Sequence, residues 1–366
     1  MNQTERLSYR ENFIRTLTFK RPEWLIADIY IGTAVWAELK GRAAEVAARH
    51  PAVFRYREGS VDYKNLEFST EKLDANYVTD VYGCKWHYPL RYLDGVCIGH
   101  PLEDLEALDT YVPPSSPVKE MSEAEWAEEK KRVAEAKARG EIVQGGTEHG
   151  FLFLRHTYLR GFENAMMDYA DEDAHPALRR IYDMIYNYNR KLVDYHIRRG
   201  SDLMYFAEDL GDQNGAILGP ERFREWVKPV YTALMQPCKQ AGMFVGLHSD
   251  GKTLDILEDQ IEAGVDMVNP QDLLNGIDNL ARRIKGKACI QLDIDRQSVM
   301  PFGSPKDVDD LIHEEMEKLG SPEGGLTFVC GIYPGTPPEN IEALAKALEK
   351  YSTMWLPLGV NADFIP

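Results

Sequence analysis

Apolar and polar residues fall into two kinds of block along this chain: long stretches of helical periodicity and short, nearly continuous apolar runs. From residue 150 onward they alternate regularly. Helix-like "RRIYDMIYNYNRKLVDYHIRRG" precedes the run "LMYFAEDLG", and "PERFREWVKPVYTALMQPCKQAG" precedes "MFVGLHSDG". "TLDILEDQIEAG" then leads to "DMVNPQD", "DNLARRIKG" to "ACIQLDID", and "VDDLIHEEMEKLG" to "LTFVCGIYPG", before a closing helix "PENIEALAKALEKYS". The runs are too apolar to alternate in period two, as expected of parallel strands covered on both faces. Five helix–strand units in succession predict an α/β fold, a (β/α)8 TIM barrel rather than an open sheet. No GxGxxG follows the first apolar run, Leu25 to Ile31, which argues against a dinucleotide-binding sheet.

The first part of the chain is less regular. Residues 5–19 have helical periodicity, and 61–100 contain short β-like pieces with many aromatics. "PPSSP" at 113–117 is a loop, after which Ser122 and Glu125 form a capping box that opens a charged, solvated helix. The expected organisation is one barrel domain over 1–366, with an N-terminal helical segment (1–24) and an inserted loop and charged helix (113–145).

Charge and composition narrow the function. The formal net charge is −17 over 366 residues, which argues against nucleic acid and against a polyanionic substrate. Five scattered cysteines (Cys84, Cys97, Cys238, Cys289, Cys330) contain no CxxC pair and fit a reducing cytoplasm better than a disulfide framework. The polar N-terminus is no signal peptide, and no apolar run reaches transmembrane length, so a cytoplasmic protein without membrane contact is expected.

In such a barrel the active site lies at the carboxyl ends of the strands. The polar residues there are Glu208, Asp209 and Gln213; His248 and Asp250 in "GLHSDG"; Asn269, Gln271 and Asp272; Asp293 and Asp295; and Cys330 with Tyr333. Capping of the next helix or turn explains Asp272, and Asp209 reads the same way. His248, Asp250, Cys330 and Glu208 together make a zinc-ligand set, imidazole, carboxylate and thiolate all being good Zn²⁺ ligands. Each has a plainer reading: Cys330 as a small buried apolar residue, His248 as a hydrogen-bonded core histidine.

"DLGDQNGAILGPERFREWVKP", "GLHSDG" and "VCGIYPGTPPENIEAL" resemble the uroporphyrinogen decarboxylase superfamily, over most of the chain. The resemblance implies a (β/α)8 barrel and two functional branches, the decarboxylases themselves and zinc-dependent corrinoid methyltransferases. The decarboxylases carry an arginine-rich "RQAGRY"-like stretch near the N-terminus that "YIGTAVWAELKGR" lacks, so decarboxylation is the alternative, together with a non-catalytic ligand-binding barrel. The methyltransferases carry His-x-Cys-Gly and a Cys-x-Ile-x-Pro-Gly-Thr-Pro-like motif. Here "CGIYPGTP" places Cys330 on a ligand position, and "HSDG" keeps His248 but has Asp250 where the cysteine is expected.

Carboxylate in place of thiolate makes a bound zinc harder and better matched to oxygen. The resemblance therefore implies methyl transfer from a methylated oxygen, an aryl methyl ether, to the Co(I) corrinoid of a separate protein in an anaerobe, an O-demethylation with Zn²⁺ as Lewis acid. His248, Asp250 and Cys330 are assigned to the metal, and Glu208 as fourth ligand or proton donor. No Asp-x-His-x-x-Gly occurs in the chain, so the cobalamin-type cofactor comes on a partner. Tyr30, Trp86, Phe151 and Tyr333 are candidate walls of a substrate pocket, with His87, Glu148, His149, Asn164, Asn269, Gln271 and Asp293 as polar contacts. Ether-cleaving relatives are associated with a Glu-x14-Glu-x20-His pattern, which Glu120, Glu135 and His156 match. One helix between the two glutamates would hold them roughly 22 Å apart, too far to share a metal.

Overall fold

The structure, a computed structural model, describes residues 7–54, 61–62, 76–89, 94–352 and 354–355. The start of the expected N-terminal segment (1–6) and parts of the 61–100 stretch lie outside them. Ten strands occur among the described residues: β1 (Ile26–Ile31), β2 (Tyr77–Thr79), β3 (Lys85–His87), β4 (Val96–Gly99), β5 (Gln144–His149), β6 (Leu203–Ala207), β7 (Phe244–His248), β8 (Met267–Asn269), β9 (Cys289–Asp293) and β10 (Leu326–Ile332). The chain divides into two compact units, one formed by residues 1–67 and 267–366 and the other by 68–266.

In the first unit the order is β1-β10-β9-β8, all parallel. The first strand therefore pairs with the last, Ile26 opposite Thr327 and Ile31 opposite Ile332. β8, β9 and β10 follow one another without a reversal of order, which is the winding of a barrel and not of a doubly wound sheet with a switch point. The helices Pro305–Leu319 and Pro338–Tyr351 pack on each other. Their buried stripes, including Val308, Ile312 and Met316 on one and Ile341, Leu344 and Leu348 on the other, follow the helical period. Ser304 and Asp307 close a capping box at the start of the former, and Ser8 with Glu11 does the same for Tyr9–Leu17.

The second unit holds β5, β6 and β7, parallel and in consecutive order, and a small antiparallel sheet β2-β3-β4. Its long helix, His175–Arg199, buries Leu178, Ile181, Ile185 and Val193 on one face and ends at Gly200 in the left-handed conformation. β5 reads "QGGTEH" and has no apolar residue, so no hydrophobic period announces it. Gly145 is what lets it lie here, because a Cβ at that position would sit 2.4 Å from the His196 ring of the long helix. The charged helix runs over Glu123–Ala138 with its Ser122–Glu125 capping box formed. It is not wholly solvated: Trp126 and Val133 are buried, and the Trp126 ring lies 5.3 Å from Tyr195 of the long helix, under the Arg198 guanidinium at 4.2 Å. Among the described residues no helix is long and apolar enough to cross a membrane.

Candidate functional site

The register of β5, β6 and β7 brings three strand ends level: His149 lies opposite Ala207, and Ala207 opposite His248. The ladder continues one step further through Glu208 N–H to His248 O (3.2 Å) and Gly150 N–H to Ala207 O (2.7 Å). Successive side chains of an extended segment point to opposite faces. Glu208 is completely buried, whereas Asp209 is only partly covered and meets the two histidines.

Asp209 is the hub. Its Oδ1 lies 3.2 Å from His149 Nε2 and 3.7 Å from His248 Nε2, and it accepts the Asp250 backbone N–H at 3.1 Å. Asp250 Oδ1 is 3.6 Å from His248 Nε2, and the two imidazole rings are 5.8 Å apart. One ligand atom from each of His149, Asp209 and His248 lies within 4.8 Å of the others. The hydrogen bond that His149 makes to the Asp209 carboxylate raises its pKa against burial. Asp209 is itself half-desolvated, yet the His149 bond, the two imidazoles and the Asp250 N–H hold its carboxyl below the usual range. Sequence reasoning read Asp209 as a cap. The signal available was its place one residue beyond Glu208, on the opposite face.

Two glycines let the loops after β6 and β7 touch backbone to backbone. A Cβ on Gly251, whose φ is +87°, would come 2.1 Å from the Gly211 backbone. Gly211 N–H donates to Asp250 O (3.3 Å) and Lys252 N–H to Asp212 O (2.8 Å) across this contact. The "G" of "HSDG" thus fixes the height of Asp250 and of the loop that carries Asp209.

Glu208 faces the other way. Its carboxylate accepts N–H bonds from Leu152 (3.3 Å) and Leu154 (3.1 Å) and the hydroxyl of Tyr231. Burial pushes its pKa up to about 7, with those bonds acting in the opposite direction. Oε2 holds the turn that follows His149, and Oε1 takes the Tyr231 hydroxyl. Tyr231, which sequence reasoning did not single out, stacks at 5.2 Å on Phe151, itself buried and not lining an open surface.

The remaining residues named from the sequence are placed as follows. Glu148 Oε2 pairs with Arg155 (3.1 Å), which also binds Asp80 (2.6 Å) and lies over the Tyr82 ring. Trp86 donates its indole N–H to Asp80 and meets Tyr158 edge-on, His87 stacks on Tyr77, and Asn164 donates to Glu103 O and Arg160 O. His156 is buried between Asp168 (3.0 Å) and Tyr169 (3.1 Å), while Glu120 and Glu135 are exposed. In the first unit, Asn269 donates to Gln291 O, Gln271 bridges to Asp293, and Asp293 pairs with Arg296 (3.1 Å), whose guanidinium lies over Tyr333. Gln271, Asp272, Asp293, Asp295 and Arg296 border a cavity of about 350 Å³. Asp272 does not cap the helix that follows: it is the first residue of Asp272–Asn275, after Gln271 at the cap position, and its carboxylate instead accepts the Asp295 N–H at 2.8 Å from the loop after β9. Cys330 is buried in β10, and burial, then the carboxylates of Asp293 and Asp272, push its thiol well above the ordinary range. Tyr30 is largely exposed.

Comparison with solved structures finds a methyltransferase from Methanosarcina mazei at 16% identity, covering 94% of this chain and 99% of that one with a TM-score of 0.63. A dihydropteroate synthase from Anaplasma phagocytophilum matches 49% of this chain and 70% of its own at 18% identity, with a TM-score of 0.34. No curated protein sequence matches. The first similarity shows the fold, the TIM-barrel type that the strand order indicates. A family model, uroporphyrinogen decarboxylase (URO-D), matches residues 138–351, more than half of the chain and all three strands that carry the histidine–aspartate cluster, and the chain belongs to that family.

Proposed function

We propose that this protein is a methyltransferase that moves a methyl group from a methylated oxygen, an aryl methyl ether, to the Co(I) corrinoid of a separate protein. The observation that carries the reading is the convergence of His149, Asp209 and His248 at level strand ends. Two imidazoles and a carboxylate fit Zn²⁺ and leave positions open for a substrate atom. The proposed ligand set is therefore His149, Asp209 and His248, with Asp250 beside them. Cys330, buried in the other unit with its thiol raised, and Glu208, one of whose oxygens serves the 152–154 turn and the other the Tyr231 hydroxyl, are left out of it.

A metal held by nitrogen and oxygen alone is harder than one held by thiolates, and when bound it supplies Lewis acidity suited to an oxygen rather than a sulfur donor. The chain's own groups prepare this arrangement. Asp209 orients both imidazoles through Nε2, Asp250 N–H fixes the Asp209 carboxylate, and Glu208 with Tyr231 holds the turn behind His149. A partner's corrinoid would accept the methyl group as the methyl–oxygen bond breaks, and a zinc held by His149, Asp209 and His248 would stabilise the charge on the departing oxygen.

The test is zinc content and methyl transfer together. Purified protein is expected to hold one zinc, lost in both His149→Ala and Asp209→Ala, and to convert a Co(I) corrinoid protein to its methyl-cobalt spectrum with a methoxy-aromatic donor. Absence of a methyl-cobalt band with every methylated donor tried would remove the reading.

A further inference from the structure

Away from the histidine–aspartate cluster, two of the five cysteines meet. The register of the small sheet sets Trp86 opposite Cys97, and Cys84 stands two residues before Trp86. Both sulfurs point at one acceptor, the carbonyl of Tyr158, Cys84 Sγ at 3.4 Å and Cys97 Sγ at 3.7 Å. His100 stands beside them, its Nδ1 2.8 Å from the same carbonyl and 3.7 Å from Cys97 Sγ. The two cysteines differ in access: Cys84 is completely buried and Cys97 is partly exposed.

We infer that Cys84 and Cys97 form an oxidisable dithiol, with Cys97 as the attacking thiol and Cys84 as the resolving one, that takes low-molecular-weight disulfides as its reaction partner. The order follows from access, because only Cys97 can be reached from solvent. Its electrostatics agree: the neighbouring Cys84 thiol and then, against burial, His100 lower the Cys97 pKa to about 7, while Cys97 and burial raise that of Cys84.

In the reaction, Cys97 thiolate attacks one sulfur of RSSR, the RS–SR bond breaks, and RS⁻ departs. Cys84 then attacks the Cys97 sulfur and gives its proton to the departing thiolate. A Cys84–Cys97 bond forms and the second RSH leaves, so two protein thiols are oxidised as one disulfide is reduced to two thiols. Nothing outside this exchange is required.

The pair sits against the helix Phe153–Arg160. Tyr158 of that helix accepts both thiols, and Leu154, at the helix's other end, donates to Glu208. Oxidation removes two donors from the Tyr158 carbonyl and leaves His100 as its partner there. Trp86, 4.7 Å from the Tyr158 ring, is placed to report the change.

The experiment uses the full chain, reduced and then equilibrated in glutathione buffers of increasing disulfide content. It is quenched in acid, alkylated under denaturing conditions and mapped by peptide mass. The expected result is loss of two of the five alkylatable thiols, recovered as one Cys84–Cys97 peptide, with Cys238, Cys289 and Cys330 still alkylated. Native Cys97 is expected to alkylate on the order of tenfold faster at pH 7 than a thiol of ordinary pKa. Cys84→Ser should accumulate the glutathione adduct on Cys97, and Cys97→Ser should give neither adduct nor bridge. A Cys97 adduct that persists in the wild type with Cys84 still reduced would overturn the resolving role. Failure of any Cys97 disulfide to form in excess oxidised glutathione would overturn the whole inference.

Discussion

Gly251→Ala isolates the backbone contact on which the candidate site rests. The residue has φ +87°, where an L side chain costs about 1–2 kcal/mol. The new Cβ would also lie 2.1 Å from the Gly211 backbone, and no rotamer relieves a clash with backbone. To reach the roughly 3.5–4.0 Å of ordinary carbon contact, the two loops must part by about 1.5–2 Å. That displacement strains the Gly211 N–H to Asp250 O and Lys252 N–H to Asp212 O bonds, and it carries Asp250 N–H away from Asp209. A misplacement of even about 1 Å in a ligand set is worth on the order of 100-fold. The expected variant is folded, melts roughly 3–8 °C lower, and binds zinc about 100-fold more weakly in competition with a chromophoric chelator. Gly215→Ala is the control: no heavy atom lies within 4 Å of its Cβ position, and its stability should stay within about 0.5 kcal/mol. A Gly251→Ala protein that melts and binds zinc like the wild type would show that the loop contact does not position the aspartates.

Other expectations follow from the same structure. Glu208→Leu leaves the Leu152 and Leu154 N–H groups without an acceptor and should destabilise by about 1–3 kcal/mol for each, whereas Glu208→Gln keeps an acceptor and should retain most of the stability; denaturant titration separates the two. His196 is kept neutral by burial and by Arg199, its pKa falling from 6.5 to about 4, so its contribution to stability is complete above pH 6.5 and is lost as pH falls towards 4. His196→Phe should flatten the acid limb of the melting profile between those values, and an unchanged acid limb would assign it to other groups. Trp126→Ala removes the anchor of Glu123–Ala138 on the long helix, and limited proteolysis should cut first inside that helix while the remaining fragments stay folded. Chelation should abolish methyl transfer and be reversed by Zn²⁺; release of carbon dioxide from a porphyrinogen that survives chelation would favour the decarboxylase alternative.

What was legible in the sequence was the apolar part of the fold. β6, β7, β9 and β10 lie inside the runs read as strands, and the capping box at Ser122 marks a true helix start. β5 was not legible, since "QGGTEH" owes its place to Gly145 under the His196 ring and to its pairing with β6, both tertiary facts. The site divided the same way. His248 and Asp250 were found because they follow an apolar run. Asp209 was discounted because a carboxylate after a strand usually caps, and His149 was named only as a substrate contact because its strand went unrecognised. Glu208 was recognised as special, but the direction of its side chain is set by the Leu152 and Leu154 N–H groups, more than fifty residues away in the chain.

The pairing of β1 with β10 sets a timetable for the nascent chain. Ile26 meets Thr327 only after roughly 300 further residues have been made, which at ribosomal rates takes about 15–60 s. For that interval the first strand lacks its partner, open to pairing with other chains, whereas the 68–266 unit has all its residues about 60 residues before Thr327 is made. The final hundred residues therefore govern whether the beginning of the protein survives its own synthesis, and truncation before Leu326 should yield aggregate rather than a smaller soluble fragment.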